Sequence, residues 1–299
     1  MNDADKGAEA MKEPQTHVET PAETAARAEI EQSARDQTEA RRKDVTPEAA
    51  EALKMTIEAL DALNASDADK AINLLESVTG KLEIVTARDP NLALAPVAAT
   101  METVEVAIST AGLELIRDEV RDAMRDGEVQ RARRLLRDFA SETIITIRSL
   151  PLATYPAAIK EVVRLIDDDK LSQAAQKLRT TLASVVETDI VLPHPLLIAQ
   201  HLLREAQALS EKSDRQSEEE ARLTKALDEA AANLERAEIL GYGTRKDFRE
   251  FHEQIAAIRR KAAGGKSGMG WFDALRSGLD DLLGRLRYRQ ATAAGKAAT

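Results

Sequence analysis

The sequence contains no cysteine. This absence excludes disulfide bonds, thiolate nucleophiles and every zinc or iron–sulfur site that depends on cysteine ligands. Aromatic residues make up only 3% of the chain, and glycine and proline are scarce. The core therefore has to be built from Leu, Ala, Val and Ile packed at helical spacing. Because 31% of the residues are charged, the composition as a whole is typical of long helices.

Apolar runs of membrane-spanning length are also lacking. No stretch reaches the roughly 18 consecutive apolar residues expected of a transmembrane helix. Residues 1–44 hold no apolar run of the kind that a signal peptide needs. We therefore expect a cytoplasmic protein. The net charge of −10 argues against a concentrated basic face, so we expect no binding of nucleic acid through phosphate contacts.

The first 45 residues are rich in Ala, Glu, Thr and Gln and hold few large apolar side chains. Such a segment buries too little apolar surface to offset the entropy lost on ordering. We therefore predict that residues 1–45 form a polar extension that is disordered or transiently helical. Thr46, Pro47 and Glu48 then supply a hydroxyl cap, a proline at the first helical position and an acid in the first turn. These residues predict the start of a helical domain that extends over residues 46–262.

An internal repeat is the clearest pattern in this domain. Three amphipathic stretches each end on an apolar anchor that is followed by a polar turn. An alanine lies eight residues after each anchor, and a leucine lies four residues after the alanine. The three sets are Leu63, Ala71 and Leu75; Met124, Ala132 and Leu136; and Ile166, Ala174 and Leu178.

The alanine and the leucine of each set lie on one helical face, because they are four residues apart. The small alanine lets a neighbouring helix approach closely. Each set therefore predicts a helix hairpin, and we expect the hairpins to bury their faces by stacking. The sets are unequally spaced along the chain, which indicates a degenerate repeat.

Three segments alternate apolar and polar residues at period two, namely residues 103–108, 143–147 and 188–192. This period is that of a β-strand, but short stretches of buried helix rich in β-branched residues can show it too. The expected fold class is therefore mainly α, with degenerate stacked helix-hairpin repeats. A small β pairing between the hairpins stays open as an addition to it.

Histidine is the main residue type that has to be weighed for chemistry. His194 and His201 lie seven residues apart, roughly on one helical face. Two histidines without an acidic residue close by in the sequence are weak evidence for a metal, because structural sites use three or four ligands. We interpret His194 as a helix cap and His201 as a surface residue. A pH-sensing role for His194 stays open, since histidine titrates near neutrality.

Motifs of common enzyme classes are missing from the sequence. It contains no nucleophile elbow, P-loop, dinucleotide-binding glycine pattern or zinc-protease motif. We therefore expect a protein that is not an enzyme and that has no catalytic residue, no cofactor and no metal. A hydrolase or metal enzyme that uses the two histidines is the least favoured alternative.

The C-terminal part of the chain has a character of its own. Residues 263–270 are rich in glycine and predict a flexible linker. Residues 271–299 then predict an amphipathic helix and a tail. The helix can pack on its own core or on a second subunit, dock in a groove of a partner, or lie on a membrane surface. Acidic residues along it weaken the membrane interpretation. Its apolar face consists of Trp271, Phe272, Leu275, Leu279 and Leu282.

Residues 82–96, 149–159 and 188–193 resemble the YfdX family of bacterial proteins. The most specific segment is Leu-Pro-Leu-Ala-Thr-Tyr-Pro at residues 150–156, and the resemblance covers residues 48–210. It implies a mainly helical, oligomerising protein with no established enzyme activity. It also implies an association with stress, acid stress in particular, and for several members export to the periplasm. This sequence departs from that pattern in its polar extension, its added C-terminal helix and its lack of an export signal.

The prolines of the specific segment suggest a structural role. Pro151 and Pro156 disfavour helix in the residue that precedes each of them, which predicts an extended corner before the third hairpin. Tyr155 is a candidate groove residue at this corner, together with Pro156 and His194. We therefore expect a non-enzymatic helical interaction protein that forms a homo-oligomer and binds a protein partner or a small apolar ligand. The alternative is a peripheral membrane protein of the stress response, anchored by the C-terminal helix.

Overall fold

The computed structural model describes residues 16–296 and their side chains up to residue 286. The elements of this part, in chain order, are α1 (Pro21–Lys43), α2 (Pro47–Asn64), α3 (Ala68–Arg88), β1 (Leu94–Glu105), α4 (Thr110–Arg125), α5 (Val129–Leu136), β2 (Ser141–Pro151), α6 (Tyr155–Asp167), α7 (Leu171–Leu182), β3 (Val186–Pro193), α8 (His194–Ser210), α9 (Ser217–Ile239), α10 (Arg245–Ala262) and α11 (Asp273–Lys296). The predicted fold class, mainly α, is confirmed.

The period-two segments form a three-stranded antiparallel sheet with the strand order β1-β2-β3. The first strand begins at Leu94, well before the predicted segment. Its early part buries Ala95, Val97 and Ala99 at period two. The sequence does not readily predict a strand there, because alanine is a strong helix former. The strand ends at Glu105. Just beyond it, Arg236 donates to the carbonyls of Val106 and Ile108.

The chain divides into two compact units that do not follow the linear boundaries expected from the sequence. The first unit comprises the residues up to Glu31 together with Thr103–Thr143 and Leu192–Gly284. The second comprises Gln32–Glu102, Ile144–Val191 and the residues from Arg285 onward. The second hairpin (α4–α5) therefore belongs to the first unit, whereas the first hairpin (α2–α3) and the third hairpin (α6–α7) belong to the second.

The three hairpins share one turn geometry. The third residue after each apolar anchor adopts a left-handed backbone: Ser66 with φ 61°, Gly127 with φ 77° and Asp169 with φ 56°. In each turn, the next N–H donates to a carbonyl five residues back, at 2.8–2.9 Å. This is the bonding pattern of a Schellman cap. The repeat inferred from the side chains is thus also a repeat of backbone structure.

Burial confirms only part of the predicted seams. The alanines Ala71, Ala132 and Ala174 are all buried. In the second unit, α2 packs on α7 and α3 packs on α6, and the apolar residues of the first and third sets are buried there: Leu63, Leu75, Ile166 and Leu178.

The second hairpin corrects the expectation of three equally buried seams. Its Met124 and Leu136 are 54% and 47% exposed. Within the first unit, α4 packs on α9, and Leu113 and Ala123 are among the buried residues of α4. The side chains alone predict that these residues share a helical face, but burial depends on whether another element covers that face.

The N-terminal extension is also corrected where the structure describes it. Pro21–Lys43 is α-helix, with Ala26 and Ala34 buried, whereas the sequence predicts disorder or transient helix for residues 1–45. The helix starts at a reciprocal cap: Thr20 N–H donates to the Glu23 carboxylate at 2.8 Å, and Glu23 N–H donates to the Thr20 hydroxyl at 3.2 Å. Small alanines bury a face without the large side chains whose scarcity suggests disorder. Residues 1–15 lie outside the described part.

Candidate functional site

Tyr155 is the first residue of α6, and its ring is buried in the core of the second unit. Burial raises the pKa of its hydroxyl to about 12, against a smaller lowering by Thr56. Within the described residues the Tyr155 hydroxyl has no hydrogen bond of ordinary geometry. The nearby Thr56 hydroxyl donates to the Ala52 carbonyl. Pro156 is half-buried. A buried ring cannot line an open groove, so the predicted groove role of Tyr155 is not supported.

His194 is the first residue of α8 and is only 1% exposed. It also cannot line an open groove. Its two ring nitrogens instead make hydrogen bonds inside the first unit. Nδ1 lies 2.8 Å from Oε2 of Glu105, and Nε2 lies 2.9 Å from Oγ1 of Thr143. We call these three residues, together with Arg27 and Ser141, the His194 cluster.

Glu105 is the centre of charge in the His194 cluster. Arg27 Nη1 donates to Glu105 Oε2 at 2.8 Å, and Ser141 Oγ donates to Glu105 Oε1 at 2.7 Å. Burial by itself raises the pKa of Glu105. The hydrogen bonds from His194 and Ser141 and the charge of Arg27 together outweigh this effect, and they lower the pKa from 4.5 to about 2. The carboxylate is therefore held ionised, although 31% of its side-chain surface remains exposed.

The Nδ1 atom of His194 has two neighbours with opposite demands. The carboxylate of Glu105 can only accept a hydrogen bond, whereas Nη1 of Arg27, 2.9 Å from Nδ1, can only donate one. A proton on Nδ1 satisfies Glu105. A proton on Nε2 alone leaves Nδ1 free to accept from Arg27 and donates to Thr143. The hydrogen-bond network therefore couples the position of the imidazole proton to the Glu105–Arg27 ion pair.

The chain of hydroxyl, imidazole and carboxylate resembles the connectivity that activates a nucleophile. Both Thr143 and His194 are 1% exposed, so a substrate atom cannot reach either group in this structure. The Thr143 hydroxyl also lies 2.9 Å from that of Thr103, and Ser141 N–H donates to the Tyr242 hydroxyl at 2.9 Å. The geometry supports a polar core of the first unit. Its hydrogen bonds connect residues of β1, β2, α1, α8 and the segment between α9 and α10.

Sequence reasoning missed this cluster because its members are far apart in the chain. His194 appears without an acidic neighbour in the sequence, and its partner Glu105 lies 89 positions away. His201 likewise lies 3.2 Å from the Glu29 carboxylate. Among the residues that the structure describes, no three His, Asp or Glu side chains are grouped in a way that holds a metal ion.

The C-terminal helix packs on its own unit, which is one of the alternatives that the sequence leaves open. Phe272, Leu275, Leu279 and Leu282 are buried, and Trp271 is half-buried. Gly278 allows the close approach, because a Cβ there would lie 2.9 Å from Cε1 of Phe251 on α10. Most of the predicted apolar face of this helix, as far as residue 286, is therefore used for packing within the first unit. In the described part of the chain, no helix is long and apolar enough to cross a bilayer.

The second hairpin carries an exposed apolar surface, although the sequence predicts no site residue there. Met124, Val129 and Leu136 are 54%, 53% and 47% exposed. They line one surface groove of about 680 Å³, together with Arg133 and Arg134. We call this surface the hairpin-2 face.

The two arginines of the hairpin-2 face differ from their neighbours. Arg117, Arg125 and Arg131 pair with acidic residues of the same hairpin. Arg133 and Arg134 have no ion pair within residues 16–286. The face is thus apolar in its centre and basic along the side of α5.

The similarity of this chain to known proteins lies mainly in its middle part. The family model described as YfdX protein matches residues 52–191. A solved structure of YfdX from Salmonella Typhi is similar to this chain, at 13% identity and a TM-score of 0.35, over 51% of this chain and 95% of that one. No curated protein matches the chain. Residues 52–191, the part that holds most of α2 and all of α3–α7, thus match the YfdX family.

Proposed function

We propose that the protein is a non-enzymatic helical interaction protein that self-associates and binds a protein partner or a small apolar ligand through the hairpin-2 face. The observation that carries this proposal is the exposure of Met124 and Leu136. Their counterparts Leu63 and Ile166, and Leu75 and Leu178, are buried in the other two hairpins. A contiguous exposed apolar surface of this kind typically marks an interaction site.

Burial of the exposed apolar side chains would contribute a favourable free energy to association. Covering a Met, Val or Leu side chain fully is worth about 1.5–3 kcal/mol relative to leaving it in water. Three such residues are half-exposed on one groove. A partner that covers Met124, Val129 and Leu136 would therefore recover several kcal/mol, before the cost of association is subtracted.

The buried state of the His194 cluster supports the non-enzymatic part of the proposal. Its hydroxyl and imidazole groups are used to join elements of the first unit, and neither is accessible. The YfdX resemblance implies an association with acid stress. Self-association should therefore be measured at acid pH as well as at neutral pH.

The test compares the wild type with Met124→Glu/Leu136→Glu, measuring mass by light scattering over a range of concentrations and the fluorescence of anilinonaphthalene sulfonate. Leu115→Glu is the matched control, because Leu115 is 62% exposed on the same helix and lies about 180° around it from Met124. We expect the wild type to associate or to bind the dye, the double variant to lose this, and the control to keep it. A wild type that is monomeric at every concentration and binds no dye would refute the proposal.

A further inference from the structure

We propose that the occupant of the hairpin-2 face is the second hairpin of another copy of this chain, with α4 of each copy packed on α5 of the other. This inference rests on the proposed function, because it names the partner of the same face. It goes beyond self-association in general by assigning the surface, the pairing of helices and the symmetry.

The template for this pairing is present in the second unit. There the first helix of each hairpin packs on the second helix of the other, α2 on α7 and α3 on α6. This swapped pairing is that of an approximate two-fold arrangement. The contact runs beside the anchors, since Nη2 of Arg179 on α7 donates to Oδ1 of Asn64 on α2 at 2.6 Å. Leu63 and Leu178, the neighbours of these two residues, are both buried in the same core.

The second hairpin matches these two hairpins in backbone as well as in sequence. Its turn has the same left-handed residue and the same capping hydrogen bonds. Its Ala132 is buried like Ala71 and Ala174. Its Met124 and Leu136, however, are half-exposed where the equivalent side chains are covered. Among the residues that the structure describes, no other hairpin covers this face, whereas the first and third hairpins cover each other.

Two identical hairpins can pair in the swapped manner with exact two-fold symmetry. One contact, α4 on α5 of the partner copy, then generates the other, and both faces are covered at once. The arrangement places Met124 of one copy beside Leu136 of the other, as Leu63 lies in one core with Leu178.

The charges of the two helices favour this swapped pairing over a pairing of like helices. Helix α5 carries Arg131, Arg133 and Arg134 and no acidic residue. Helix α4 carries Glu114, Asp118, Glu119 and Asp122 beside three arginines. A pairing of α5 with α5 would bring six arginines together, whereas α5 on α4 gives the unpaired arginines access to carboxylates.

One position of the seam differs from the template. Arg125 and Arg137 occupy the places of Asn64 and Arg179, so the hydrogen bond seen there cannot form. Each of these arginines already has an acidic neighbour in its own hairpin, Asp122 for Arg125 and Asp138 for Arg137. The seam of the second hairpin therefore depends more on its apolar residues than the seam of the first and third hairpins does.

The absence of cysteine from the sequence makes a direct test possible. The full chain carrying Met124→Cys, with one affinity tag, is mixed with the full chain carrying Leu136→Cys, with another tag, and treated with a short bifunctional thiol reagent. We expect a cross-linked product that carries both tags, formed several times faster than when Leu115→Cys replaces either partner. We also expect Met124→Glu/Leu136→Glu to weaken association at least about a hundredfold. Circular dichroism confirms that each variant is folded.

The outcomes separate this inference from the proposed function. A wild type that associates, but whose cross-linking from Met124 and Leu136 equals that of the Leu115 control, would overturn the inference and move the interaction to another surface. A monomer that binds the dye only when Met124 and Leu136 are intact would overturn it too, and would assign the face to an apolar ligand, another protein or a terminal segment of the same chain. A monomer that binds no dye would overturn both.

Discussion

Glu105 and His194 lie 89 positions apart in the sequence, and Oε2 of Glu105 is 2.8 Å from Nδ1 of His194. The strand β1 delivers the carboxylate at its last residue, and the helix α8 delivers the imidazole at its first residue. Because Arg27 and Ser141 also donate to this carboxylate, the ionised state of Glu105 is part of the folded structure. The stability of the fold should therefore depend on pH in the acid range.

The first prediction concerns this acid dependence. The pKa of Glu105 is lowered from its ordinary value of 4.5 to about 2, so its contribution to stability is present above pH 4.5 and is lost as the pH falls toward 2. In Glu105→Gln this component is missing. We expect the free energy of unfolding, measured in urea at several pH values, to fall less between pH 4.5 and 2 in the variant than in the wild type. Glu102→Gln, an exposed position on the same strand, should leave the wild-type slope unchanged.

The second prediction concerns the Thr143 hydroxyl. In Thr143→Val, Nε2 of the buried His194 loses its partner, and a buried polar group left without a hydrogen bond costs about 1–3 kcal/mol. Thr143→Ser keeps the hydroxyl and should lose clearly less, apart from the buried methyl group. Urea unfolding at neutral pH measures the difference. Equal stabilities of the valine and serine variants would show that this hydrogen bond contributes nothing.

The third prediction compares equivalent positions of the repeat. Leu75→Ala and Leu178→Ala remove fully buried side chains, and each should lower the free energy of unfolding by about 2–5 kcal/mol. Leu136→Ala, at a half-exposed position, should cost well under 1 kcal/mol at concentrations where the protein is monomeric. Thermal unfolding monitored by circular dichroism is sufficient to rank the three. A loss for Leu136→Ala as large as for the other two in a monomer would contradict the exposure of this residue.

The fourth prediction uses two glycines of α11. Alanine normally stabilises a helix interior by about 1 kcal/mol relative to glycine. Gly284 has open space around its missing Cβ, whereas a Cβ at Gly278 would lie 2.9 Å from Cε1 of Phe251. We therefore expect Gly284→Ala to raise the melting temperature and Gly278→Ala to lower it. Equal stabilisation by both substitutions would show that α11 does not pack closely on α10.

Some of the site was open to prediction from the sequence and some was not. The capping pattern Thr20-Pro21-Ala22-Glu23 is visible in the sequence and predicts the start of α1. In this region it is a better guide to the structure than the polar composition of residues 1–45, which suggests disorder. The pairing of His194 with Glu105 has no such signal, since only the sheet and α8 together bring these residues within hydrogen-bond distance. Tyr155 illustrates the reverse case: its place in a specific motif suggests a groove, yet its ring fills the core.

Features that depend on neighbours a few residues away are encoded locally in the amino-acid sequence. The hairpins, their polar turns and the shared face of each alanine and leucine all follow from contacts within one or two helical turns, and the hairpins and turns appear in the structure at the predicted positions. The left-handed residue of each turn was seen only in the structure. Which of these faces is covered depends on tertiary packing, because the same local pattern is compatible with burial against another hairpin, as at Leu75, and with exposure, as at Leu136. Coverage is a property of the element that packs against a face, and the residues of the face do not encode where that element comes from.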